Sequence, residues 1–73
     1  MNFDVKLNKS LVGHPFNPRT FDFYQKKVAI IPAETMIAID DPSNKIDGYP
    51  YTIVYTSGNT YNVKDADLEE ALL

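Results

Sequence analysis

The sequence contains no cysteine and only one histidine, His14. The first absence excludes disulfides and thiolate metal sites. The second excludes zinc arrangements built on several histidines. Both matter at 73 residues, because a chain this short buries only about 60% of the surface its unfolded form exposes. Small folds commonly add a disulfide, a metal or a partner subunit. Good packing, or self-association that buries more apolar surface, is what remains. No stretch approaches the ~20 apolar residues of a membrane span, and the opening "MNFDVKLNKS" lacks the apolar run of a secretory signal. With only three glycines, no glycine loop is spaced to cradle a phosphate. No internal repeat or low-complexity segment occurs. The expectation is a single soluble domain over residues 1–73, without cofactor or metal, in the cytoplasm; missing cysteine fits a reducing compartment.

Net charge is −3 and uneven along the chain. Residues 1–37 carry five Lys/Arg against three Asp/Glu, and residues 38–73 carry two against seven. An acidic chain is poorly suited to sequence-independent nucleic-acid binding, which rests on neutralising phosphates. The acidic half reads first as solubility plus a charged helix, and second as attraction to a basic partner.

What is present is mostly strand pattern. "NFDVKL" alternates, with Phe3, Val5 and Leu7 on one side, as in a half-buried strand. "NKSLVGHPFNPRT" is punctuated by Gly13, Pro15 and Pro18 and reads as a surface loop pinned by Leu11, Val12 and Phe16. "TFDFYQKKVAII" is extended again. A bulge or short turn near Gln25 would turn Phe21, Phe23, Tyr24, Val28 and Ile30 all inward. Pro32 ends that strand, "PAET" suits one helical turn, and "MIAID" is a short apolar strand. "DPSNKIDGYP" is turn chemistry throughout.

"YTIVYTSGNTYNV" is a hairpin. A two-residue loop, Ser57-Gly58, pairs Val54 with Tyr61 and splits the apolar residues between faces. A three-residue loop, Ser57-Gly58-Asn59, pairs Tyr55 with Tyr61 and Ile53 with Val63, gathering four large side chains on one face. The pattern favours three residues; turn chemistry is less decisive, since Asn59 tolerates the positive φ that such loops need. In "DADLEEALL", Asp65 suits an N-cap, and Leu68, Ala71 and Leu72 make a narrow apolar stripe. Two turns do not hold alone in water, so this helix must dock, most simply on the hairpin. The fold expected is α+β and β-rich. It would be a small curled antiparallel sheet or SH3-like half-barrel of about five strands with a short C-terminal helix.

No catalytic signature emerges. Asp40, Asp41 and Asp47 read as turn-forming aspartates. A glycosidase pair needs a cleft between its carboxylates, and "DDPSNKIDG" lacks the ligand spacing of a calcium loop. His14 reads as a loop histidine with a local hydrogen bond, and no serine sits in a recognisable motif. The five tyrosines, Tyr24, Tyr49, Tyr51, Tyr55 and Tyr61, read chiefly as packing. Tyr49 and Tyr51, flanking Pro50 at a strand entry, are the best candidates for a protein-contact surface. Phe16, Arg19, Phe21, Phe23, Lys26 and Lys27 interleave aromatic and basic residues, as single-strand-binding surfaces do.

"VAIIPAETMIAID", "YTIVYTSGNTYNV" and "DADLEEAL" in succession resemble the ending of LytTR-type DNA-binding domains, and the same order recurs in small flagellar FlbD-like proteins. The resemblance covers residues 28–73 and implies a strand–hairpin–helix architecture. LytTR domains are longer and present basic and polar residues to DNA, whereas residues 38–73 here hold only Lys45 and Lys64 as bases. No family site residue transfers.

The leading expectation is a non-enzymatic module that binds another protein through Tyr49 and Tyr51, in the style of a small bacterial or phage-encoded regulator or inhibitor. The alternatives are a nucleic-acid-binding domain using Arg19, Lys26 and Lys27, and a structural homo-oligomer, such as a homodimer, whose edge strands pair.

Overall fold

The computed structural model describes residues 2–17, 19, 20, 22, 23 and 26–73, with the backbone alone at residues 22 and 23. Phe21, Tyr24, Gln25 and the side chain of Phe23 therefore lie outside what is described. The strands are β1 (Val5–Lys6), β2 (Leu11–Asn17), β3 (Asp22–Phe23), β4 (Ala29–Ile31), β5 (Met36–Ile39), β6 (Tyr51–Thr56) and β7 (Asn59–Lys64), followed by helix α1 (Asp65–Ala71). They form one antiparallel sheet in the order β1-β5-β6-β7-β2-β3, with β4 also paired to β2. The sheet is open, and the domain is the small β-rich α+β fold expected, with more and shorter strands.

The stretch expected to be a surface loop is instead the strand that ties the sheet together. β2 pairs β4 through Leu11–Gly13, β7 through His14–Pro15, and β3 through Phe16–Asn17. Its breakers have packing reasons. Gly13 faces Tyr61, and a Cβ there would stand 3.0 Å from the Tyr61 Cβ and 3.1 Å from its Cγ. Pro15, which has no N–H to give, falls where the strand beyond is interrupted between Phe23 and Ala29. Across that interruption three steps of β2, Gly13 to Phe16, stand opposite six of its partner. The irregularity expected near Gln25 falls on residues outside those described. Val28 and Ile30 do not turn inward: they are 60% and 61% exposed, and the buried residue is Ile31.

Two other expectations change. Phe3 lies outside β1 and is exposed, while Leu7 is fully buried. "PAET" forms a tight turn, not a helical one: the Thr35 N–H reaches the Pro32 carbonyl, and Glu34 takes a φ of 71°.

The hairpin closes with the two-residue loop. Thr56 pairs with Asn59, Tyr55 with Thr60 and Val54 with Tyr61. Gly58, at φ 106°, supplies the positive φ at the second loop position, as a type II turn requires, so Asn59 is released to the strand. Parity then puts Thr52, Val54, Tyr61 and Val63 on one face and Tyr51, Ile53, Tyr55, Thr60 and Asn62 on the other. This overturns the single apolar face of Ile53, Tyr55, Tyr61 and Val63. The core is Leu7, Leu11, Ile31, Ile37, Val54, Val63, Leu68 and Ala71, with Val5, Tyr61 and Leu72 packed against it.

Helix α1 docks on β7 and β2. Its buried residues are Leu68 and Ala71, as the stripe predicts. Asp65 is its first residue, not its cap; Lys64 holds the cap position without a side-chain bond. The far end is closed by Asn8, whose N–H meets the Ala71 carbonyl at 2.8 Å and whose amide reaches the Leu72 and Leu73 carbonyls. Such bonds satisfy carbonyls that a helix end leaves open.

Gly13→Ala should destabilise the fold by about 1–3 kcal/mol, the usual cost of overpacking a well-filled site. A urea midpoint equal to wild type would remove the Tyr61 contact from the account.

Candidate functional site

The polar turn segment brings the site together. Asp41 caps the 3₁₀ turn Pro42–Asn44, accepting from the Ser43 N–H at 2.9 Å. That bond holds the exposed Asp41 carboxyl below the usual carboxylate range. Asp40 accepts from the Tyr55 hydroxyl at 3.3 Å and from the Asn44 amide at 3.4 Å. Burial, and then the Asp40 charge, push the Tyr55 phenol up. These aspartates are turn formers, as expected. Among the described residues no three His, Asp or Glu side chains gather as a metal site needs.

Lys45 crosses from this segment to the start of α1. Its ammonium pairs with Asp65 and lies 3.3 Å from the Thr52 hydroxyl, which donates to Asp65 at 2.5 Å. The Asp65 N–H meets the Pro50 carbonyl at 2.9 Å. Lys45, then Thr52, hold the Asp65 carboxyl below its ordinary range. The clasp joins the segment between β5 and β6 to the helix.

Between that segment, β6, β7 and α1 lies an open cleft of about 660 Å³. Its apolar lining comprises Phe16, Ile39, Ile46, Tyr49, Tyr51, Ile53, Leu68 and Leu72; Asp40, Asp41, Asp65, Glu69 and Lys45 supply charge. Ile46 is 80% exposed and Tyr49 42%, so the rim holds unburied apolar surface. The Tyr49 and Tyr51 rings lie 5.9 Å apart, and His14 stands edge-on to Tyr51 at 6.0 Å. His14 Nδ1 donates to the Lys27 carbonyl at 2.9 Å, so instead of a loop histidine with a local bond it is a strand residue bonded to a segment remote in sequence.

Both predicted contact residues, Tyr49 and Tyr51, therefore line the same cleft. Arg19, Lys26 and Lys27 do not line it. Arg19 sits in the turn after β2, bonded through its N–H to Asn17 Oδ1, and Lys26 and Lys27 precede β4 on the exposed surface. Sequence reasoning missed Ile46, Ile39 and Asn62. A lone isoleucine inside a turn-forming run was the available signal for Ile46. Asn62, an amide within the hairpin pattern, is 3% exposed.

No family model matches the chain, and no curated protein or solved structure matches it. Among the described residues no helix is long and apolar enough to cross a membrane.

The clasp has a pH signature. A carboxyl whose folded pKa is depressed stabilises the fold above its unfolded value, near 4, and loses that contribution as pH falls through the folded value. The Asp65 side chain is 45% exposed and that of Lys45 26%, which limits the effect to under about 1 kcal/mol. Between pH 6 and pH 3, Lys45→Met should lose less stability than wild type in urea titrations. Equal losses would mean that the pair adds nothing in solution.

Proposed function

We propose that this chain is a non-enzymatic module that binds another protein through the cleft and acts as a regulator or inhibitor by contact. The observation that carries this reading is the rim: Ile39, Ile46 and Tyr49 are exposed around an apolar hollow that Tyr51 and Ile53 also line. Scattered exposed apolar residues are ordinary, but a contiguous set with a polar border marks a contact surface. Tyrosine adds a large area at low entropic cost, which is why it recurs at binding hot spots.

Nucleic acid fits the same cleft poorly, because its carboxylates would repel phosphate. The alternative through Arg19, Lys26 and Lys27 would use a different surface. It would announce itself by a steep loss of affinity with salt.

The double variant Tyr49→Ala/Tyr51→Ala should lose a partner retained by the wild type in pull-downs from the source cells. Its circular dichroism should stay unchanged. Hot-spot truncations cost about 2 kcal/mol or more, so affinity should fall at least ~30-fold. Undiminished capture by the folded double variant would contradict the assignment.

A further inference from the structure

Resting on the protein-binding reading, we infer that the segment seated in the cleft is a cationic, apolar stretch of another polypeptide. Four carboxylates line the cleft, on Asp40, Asp41, Asp65 and Glu69, against the single ammonium of Lys45. Among the described residues Asp65 alone of the four is ion-paired, and its partner is that same Lys45. The rim therefore keeps three negative charges without a cationic partner among the described residues, around a floor that is largely hydrocarbon. An occupant that buries apolar groups there and carries Lys or Arg at its edges meets both conditions; an anionic lipid fails the charge condition, and a nucleic acid meets neither.

Asn62 narrows the chemistry further. It is 97% removed from solvent, with 3% exposure, and lines the cleft. Its side-chain amide makes no hydrogen bond to another described residue. No fully enclosed side-chain N or O among those residues lacks a partner, so the accessible part of this amide opens on the cleft. An amide both donates and accepts, and leaving it dry and unpaired is costly. A hydrocarbon chain would do that. A peptide group offers the matching acceptor and donor, so polypeptide is the occupant that satisfies Asn62 and the apolar lining together.

The chain's own surface contains a similar stretch, in which exposed Lys26 and Lys27 precede Val28 at 60% exposure. A second copy is thus the competing occupant. Its two surfaces are different, so it would associate head to tail.

The test is selection of a phage-displayed random dodecapeptide library on the folded wild-type protein, with counter-selection on Tyr49→Ala/Tyr51→Ala. Ile46→Ser serves as a second cleft variant, since Ile46 at 80% exposure contributes little to the core. The expected peptides are net positive, carry at least one large aliphatic or aromatic residue, and bind neither variant. Their affinity, read by fluorescence anisotropy, should fall at least tenfold in Asp40→Asn/Asp41→Asn/Glu69→Gln, which should also flatten the salt dependence. Cleft-dependent peptides that are neutral or acidic, or that bind the neutralised variant equally well, would overturn the cationic assignment and leave protein binding standing. Selection of no peptide that distinguishes wild type from the cleft variants would overturn the protein-binding reading itself. Sedimentation showing self-association that both cleft variants abolish would replace the foreign segment with a second copy.

Discussion

The structure depends on one register. Val54 stands opposite Tyr61 across the β6–β7 hairpin, and Thr52 opposite Val63. Because side chains alternate along a strand, this choice decides the face of every residue in both strands. It gives Val54 and Val63 to the core, where both are fully buried. It gives Tyr51, Ile53 and Asn62 to the opposite face, and all three line the cleft. A sheet with apolar residues on both faces has two surfaces to satisfy. One is met by Leu7, Leu11, Ile31, Ile37 and the helix. On the other, a hollow with exposed apolar residues at its rim remains.

The remaining structure fixes that hollow in place. Residues 40–50 leave β5 and return to β6, and without an anchor they would be a loop of polar and turn-forming residues. Asp41 tightens their first turn, and Lys45 ties them to Asp65 and Thr52. The helix that supplies Asp65 is too short to persist alone. It is held by Leu68 and Ala71 in the core, by Asn8 at its carbonyl end and by the Lys9–Glu70 pair at 2.8 Å. The walls of the cleft are thus side effects of the same few contacts that hold a 73-residue chain together.

Much of this was legible from residue types. Alternation marks the hairpin, a short apolar run marks β5, the turn chemistry of residues 40–50 is plain, and the Leu68/Ala71 stripe matches the buried helix face. The errors share a cause. By residue type Gly13 and Pro15 read as breakers, but a glycine that admits a tyrosine ring and a proline placed opposite a strand interruption are tertiary facts. The hairpin loop was chosen to gather apolar residues on one face, on the premise that only one face is apolar. That premise fails where the second face carries a surface of its own. Tyr49 and Tyr51 were found because aromatic residues at a strand entry draw notice. Nothing near Asn62 in the sequence signals its burial, since its strand partners, His14 and Ile53, come from other strands.

The register is also the most direct point of attack. A nuclear Overhauser map of the hairpin backbone should show cross-strand contacts between Tyr55 and Thr60 and between Ile53 and Asn62, the pairs set by the two-residue loop. Contacts between Tyr55 and Tyr61 and between Ile53 and Val63 instead would place all four large side chains on one face. That result would contradict the account, because the cleft would lose the face on which it is built.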